Sequence, residues 1–274
     1  MKKKKRKIKW KNIIFIFIIF IFVIILILSI YNLVKWKIDS NKTKEEITTI
    51  QENINVKEVE DTKNTEIVEP VEEIPKENPY WDYINMINVN FDDLKKTNSD
   101  VIGWLKVNGI NINYPFVQGK DNNYYLTHGF NKSYNDAGWI FLDYRNNNTN
   151  NKNTIIYAHS RLDKTMFGSL RNVLKNEWLN NTNNYVIKIS TEVENSLWQI
   201  FSVYHIPITS DYLQTAFNDD TEYQIFLDIL KNRSSSNFNT NVTYTDNILT
   251  LSTCYSDNNR MVVHAKLIKK ESKF

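Results

Sequence analysis

The hydrophobic pattern changes character twice along this chain. From Ile13 to Tyr31, "IIFIFIIFIFVIILILSIY", no position is charged and the run has no amphipathic period. About 20 apolar residues are what a helix needs to cross a hydrocarbon core roughly 30 Å thick, so residues 13–34 are expected to form a transmembrane helix. Beyond Asp100 the apolar residues come in short runs rich in Val, Ile, Tyr and Trp, punctuated by Asn, Gly and Asp: "VIGWLKVNGININYPFV", "GWIFLDY", "NTIIYAHS", "NYVIKIST", "SLWQIFSVYHI", "NILTLSTC" and "RMVVHAKLI". Many short strands of this kind predict a mainly β fold, a sandwich or barrel.

Three segments read as helices instead. In "YWDYINMINVNFDDLKKTN", Trp81, Ile84, Ile87 and Phe91 recur at spacings of three and four, which predicts an amphipathic helix ending in the "DDLKKTNSD" stretch. "DKTMFGSLRNVLKNEW" (163–178) has a helical look. In "NDDTEYQIFLDILKNR" (218–233), Tyr223, Phe226, Leu227 and Leu230 share one face and Asn218 is placed to cap the amino end.

Charge divides the chain further. The segment before the apolar span, residues 1–12, holds eight Lys or Arg and no acid, so the positive-inside rule leaves the amino terminus in the cytosol and the rest outside. A cleaved signal peptide shares the basic and apolar order, but its apolar core is usually about 7–15 residues and ends at a small-residue cleavage site. The "NLVKWKIDS" that follows Tyr31 lacks such a site. Within 35–79, residues 38–79 carry 12 acids against five bases and no aromatic residue. This segment is expected to be a mostly disordered stalk, helical in its first third. Residues 80–274 carry 19 bases and 19 acids and are expected to be the folded domain. A neutral domain on an acidic stalk has no nucleic-acid footprint.

The candidate chemistry centres on Cys254, the single cysteine of 274 residues. It has no internal disulfide partner. In "NILTLSTC", alternation puts Ile248, Thr250, Ser252 and Cys254 on one face and Leu249, Leu251 and Thr253 on the other. A lone cysteine is commonly a small buried hydrophobe. Here it stands where strand turns to loop, with Arg260 close behind, and a nearby cation lowers a thiol's pKa. A nucleophilic thiol also wants an imidazole to manage the proton. His159, ending "NTIIYAHS", and His264, sharing a strand face with Arg260, both qualify, and spacing does not rank them. His128 and His205 follow aromatic residues and read as packing or surface histidines. Two other functions fit a surface protein. A papain-like wall hydrolase would place its cysteine early, at a helix start, and a tethered adhesin would not need the thiol.

"TLSTC" followed by Arg and an apolar strand, with "NTIIYAHS" some 95 residues earlier, resembles the sortases, membrane-anchored cysteine transpeptidases of Gram-positive bacteria. The stretches "GWLKVNGININYPFVQGKDNNYYLTHGF" and "GWIFLD", and a helical insert from Asp219 to Arg233 before the cysteine strand, resemble class B in particular. The resemblance spans 80–270. It implies a closed eight-stranded β-barrel with amino-terminal helices and a helix in the insert. It also implies Cys254 as nucleophile, His159 as acid and base, and Arg260 as the oxyanion partner. Asn122 and Leu126 are then substrate contacts, with Ser252 and Thr253 in the groove floor. The implied reaction cleaves an Asn-Pro-x-Thr-like sorting motif of a secreted protein after Thr, through a thioester. An amine of a peptidoglycan precursor or of another protein then resolves it. No cofactor is expected, and no Cys/His spacing suggests a metal. Only five residues separate Cys254 from Arg260, a shorter loop than in many class B members.

Overall fold

The computed structural model describes residues 10–59, 84–147, 151–256 and 258–274. The chain divides into two compact units, one ending at Lys42 and the other Thr43–Phe274. The first is the leading part of helix α1 (Trp10–Asn53), whose apolar side chains from Ile13 to Val34 are exposed over its whole circumference. This helix is long and apolar enough to cross a membrane. A helix apolar on all sides suits a lipid surrounding. The expected cytosolic segment 1–12 falls largely outside the described residues.

In the second unit, residues 43–53 of α1 complete the barrel's flank. Ile47 is buried in its core, Gln51 Nε2 donates to the Asn113 carbonyl at 2.8 Å, and the Glu46 carboxylate accepts the Asn131 N–H at 2.8 Å. The chain continues into β1 (Lys57–Val59), which pairs antiparallel with β2 (Met86–Asn88). The Glu58 carboxylate lies 3.2 Å from Lys188 Nζ and 3.6 Å from Lys106 Nζ, tying β1 to the barrel. The first third of the expected stalk is thus helical, and its described residues from 43 onward pack on the folded unit; most of the remainder lies outside the described residues.

The barrel closes in the order β10-β8-β7-β3-β4-β5-β6-β9. Its strands are β3 (Val101–Val107), β4 (Ile112–Val117), β5 (Phe141–Leu142), β6 (Asn153–Tyr157), β7 (Val186–Thr191), β8 (Glu194–Pro207), β9 (Ile248–Ser256) and β10 (Asn259–Ser272). Strand pairs are antiparallel except β4–β5 and β6–β9. Each of the seven β-rich runs became one or two of these strands.

Two helical expectations are corrected. The stretch around Ile87 is strand β2, and helix α2 is confined to Asp92–Thr97. Ile87, Val89 and Phe91 are buried while Asn88 and Asn90 are exposed, a period of two that the coincident spacing of three and four concealed. The 163–178 segment forms turns, a 3-10 helix at Leu170–Leu174 and the short helix α3 (Asn176–Leu179). Residues Lys164 and Met166 there take positive φ, which breaks a helix.

The insert helix α4 (Asp220–Asn232) forms as its periodicity predicts, with Tyr223, Phe226, Leu227 and Leu230 buried. Its cap is Asp219, which accepts the Glu222 N–H at 2.8 Å, while Asn218 instead donates to the Glu222 carboxylate. Residues 248–253 of β9 are buried on both faces. Leu249 and Leu251 join the main core with Trp104, Phe141 and Val263, and Ile248 joins a second core under α4 with Phe201, Tyr204 and Tyr212.

Candidate active site

Strand register brings the three candidate residues to one mouth of the barrel. On β10, the Cα partner of Cys254 is Arg260, next to a register shift at Asn259/Arg260. On the other side of β9 runs β6 in parallel, with Tyr157 opposite Ser252 as the last rung. Two residues beyond that rung lie His159 on one path and Cys254 on the other. Cys254 and Arg260 are thus register partners on β9 and β10, and His159 follows the end of the neighbouring strand β6 by two residues.

The His159 ring is held by Leu126. Its Nε2 lies 2.8 Å from the Leu126 carbonyl oxygen, and because a carbonyl only accepts, Nε2 carries the proton and leaves Nδ1 for other chemistry. The carbonyl belongs to a 3-10 turn, Tyr124–Leu126. That turn is anchored by the buried Tyr125, whose hydroxyl donates to Asp100 at 2.7 Å and accepts from Asn98 Nδ2 at 3.0 Å. Gly138 keeps room for it. At φ +60°, a Cβ at 138 would stand 2.5 Å from the Tyr125 oxygen and 2.8 Å from the Leu126 oxygen. The loop after His159 is tied as well. The His159 carbonyl accepts the Phe167 N–H at 3.0 Å, and Asp163 accepts from the Thr165 N–H and hydroxyl.

His264, the rival imidazole, is fully buried. Its Nε2 is 2.8 Å from the Tyr204 hydroxyl and its Nδ1 is 2.9 Å from the Thr250 hydroxyl, with the Phe201 ring stacked on it. Burial, with the Arg233 charge adding to it, pushes its pKa down to about 3. It is a neutral part of the second core. His128 stacks on Tyr124 with ring centroids 4.0 Å apart, and His205 is exposed.

Among the residues expected to contact substrate, Leu126 is half-buried against the core. Asn122 is half-buried and donates from Nδ2 to Asp143 at 3.1 Å. Ser252 and Thr253 are buried. The Ser252 hydroxyl is 2.9 Å from that of Tyr212, and the Thr253 hydroxyl has no partner.

Sequence reasoning gave no role to Asp143 and Arg145, in "FLDYRN". Burial alone would raise the Asp143 carboxyl, but the hydrogen bonds and charge of Arg145, with the Tyr157 hydroxyl, outweigh it and hold it below the usual carboxylate value. The one available signal was a D-x-R spacing straight after a short strand. A cavity of about 190 Å³, lined by Phe116, Leu142, Thr154, Trp198 and Lys270, sits at the opposite mouth, among the starts of β6 and β8 and the end of β10. Among the described residues no His, Cys, Asp and Glu cluster could hold a metal.

The sortase domain family matches residues 105–268. Sortase B of Staphylococcus aureus is 40% identical over 188 residues, 67% of this chain and 76% of the relative. Sortase B of Listeria monocytogenes is 38% identical over 183 residues, 65% of this chain and 74% of the relative. Among solved structures, a Staphylococcus aureus sortase B–substrate complex superposes with a TM-score of 0.61 at 41% identity, covering 65% of this chain and 84% of that one. Sortase B of Bacillus anthracis in complex with AAEK1 gives a TM-score of 0.68 at 32% identity, covering 85% and 99%. A sortase B complexed with triglycine gives 0.62 at 40% identity, covering 65% and 85%. With the closed eight-stranded barrel and the helical insert before the cysteine strand, these likenesses make the chain a class B member of the sortase family, the cysteine transpeptidases that anchor proteins to the cell wall.

Proposed function

We propose that the chain cuts an Asn-Pro-x-Thr-like sorting motif after its threonine and passes the protein to an amine of the cell wall or of another protein. The observation that carries this reading is the pairing of Cys254 with Arg260 across β9 and β10, with His159 two residues past the β6 rung Tyr157↔Ser252 beside them. The Cys254 thiolate attacks the threonine carbonyl carbon. Arg260 stabilises the oxyanion that forms. His159, as imidazolium, protonates the departing amine, leaving a thioester, and later takes a proton from the incoming amine while the thiolate leaves. Asn122 and Leu126 contact the peptide, with Ser252 and Thr253 beneath it.

The relative solved with triglycine supports an oligoglycine-type amine as acceptor, and the substrate complex supports a peptide donor. The basic amino-terminal segment before α1 supports a single-pass anchor with the barrel outside the cell. The test uses the full-length protein in detergent with a fluorogenic sorting peptide, with and without added triglycine. Joined product is expected from the wild type and none from Cys254→Ala. Arg260→Lys keeps the charge but loses the planar fork, and turnover is expected to fall by about 100-fold. An Arg260→Lys protein at full rate would remove arginine from the oxyanion step, and a Cys254→Ala protein that still joined peptide to amine would overturn the whole reading.

A further inference from the structure

One carboxylate behind the site gathers donors from three segments. Asp143, fully buried, follows β5 directly. Its Oδ1 accepts from the Arg145 N–H and Nε, both at 2.9 Å. Its Oδ2 accepts from Arg145 Nη2 at 2.7 Å, the Tyr157 hydroxyl at 2.8 Å and Asn122 Nδ2 at 3.1 Å. Arg145 Nη2 also donates to the Leu213 carbonyl at 3.0 Å, in the segment whose Tyr212 reaches Ser252. The 122 loop, the end of β6 two residues before His159 and the segment leading to α4 thus meet at this ion pair.

Asn122 is pinned from both ends. Its Nδ2 faces Asp143, and its Oδ1 accepts the Tyr144 N–H at 3.0 Å. Turning the amide over would set its NH₂ against the Tyr144 N–H and its oxygen against the carboxylate. One Nδ2 proton and one Oδ1 lone pair remain, both in fixed directions. A carboxylate is required for this. Every group facing Asp143 is a donor, so an amide in its place would turn its own NH₂ toward another donor and force one neighbour away.

We propose that Asp143, clamped by Arg145, is a positioning residue that sets the orientation in which Asn122 meets the sorting peptide. The proposal rests on the reading of Asn122 as a substrate contact. It assigns Asp143 a part in peptide recognition and none in thioester chemistry. Removing it raises KM and leaves kcat in place, the signature of lost binding shared by ground and transition states.

The experiment is a double-mutant cycle on the full-length protein in detergent. It compares wild type, Asp143→Asn, Asn122→Ala and the double variant. Four quantities are read: kcat and KM for a fluorogenic sorting peptide, the affinity of the labelled peptide in a Cys254→Ala background, and the rate of Cys254 modification by a methanethiosulfonate. Asp143→Asn is expected to raise KM and weaken peptide affinity by about tenfold, as loss of a charge-supported contact does. Its kcat and thiol modification rate stay within about twofold. On top of Asn122→Ala it adds nothing further, because coupled residues are non-additive.

Unchanged KM, a fall in kcat with slower thiol modification, or multiplied effects in the double variant would each overturn the proposal. Should Asp143→Asn fail to melt like wild type, Arg145→Lys takes its place; it keeps the cation, loses the fork and is expected to give the same non-additivity at about threefold amplitude. A wild type that binds the peptide without cleaving it would defeat the transpeptidase reading while the affinity cycle still judges Asp143. No peptide binding at all would defeat both.

Discussion

His264 is enclosed by Tyr204, Thr250 and Phe201, and its imidazole is neutral in the folded protein. In the unfolded chain it titrates at the ordinary value near 6.5, so between that pH and about 3 the unfolded state binds the extra proton. Stability that is complete above pH 6.5 is therefore lost on acidification, by roughly 3 kcal/mol at pH 4. His264→Gln is expected to flatten that limb of a denaturant titration. An unchanged slope would assign the acid loss to other groups. At Gly138, Gly138→Ala is expected to displace the Leu126 carbonyl and with it His159, lowering turnover at least tenfold, alongside a φ penalty of about 1 kcal/mol. Wild-type turnover in that variant would show that the carbonyl does not position the ring. Cys254 and Arg260 could be singled out in the primary structure because a lone thiol followed by a cation is itself a chemical statement. Choosing between His159 and His264 took family resemblance, since burial is set by Phe201 and Tyr204, some 60 residues from His264 in sequence. The Asp143 cluster stayed hidden for the same reason: its donors come from positions 122, 145 and 157.

At the scale of elements, strands were legible and short helices were not. Runs such as "SLWQIFSVYHI" are long enough for β-branched and aromatic residues to speak for themselves, whereas 84–91 satisfies both periods and only pairing with β1 decides it. Helix α4 was legible because its 13 residues give a full apolar stripe over the second core. Its cap is the checkable detail. Asp219→Ala is expected to cost about 1 kcal/mol in urea unfolding, and Asn218→Ala, which removes a donor to Glu222 and leaves the cap, less than half of that. Docking of residues 43–53 was not legible, because Ile47 and Ile50 sit in an acidic, polar stretch that composition alone assigns to a stalk. A soluble protein beginning at Thr43 is expected to melt several degrees above one beginning at residue 80, since the latter bares the surface under Ile47. Equal melting temperatures would show that this docking contributes nothing.

Over the whole molecule, closure of the barrel rests on unequal seams. β10 is paired along its length with β8, from Asn259↔Pro207 to Ser272↔Glu194, whereas β4 meets β5 at the single rung Val117↔Phe141. Native-state hydrogen exchange is expected to find Phe141 and Leu142 among the least protected strand amides and Val262–Ala265 among the most. The two mouths also differ. The candidate positions 159, 254 and 260 lie at one, while the other keeps a hollow beside Thr154 and Trp198. Durability and turnover are therefore separable by design: a Thr154→Ile filling of that hollow can add about 0.5–2 kcal/mol at the far rim, and the usual trade between robustness and catalytic speed need not arise in this enzyme.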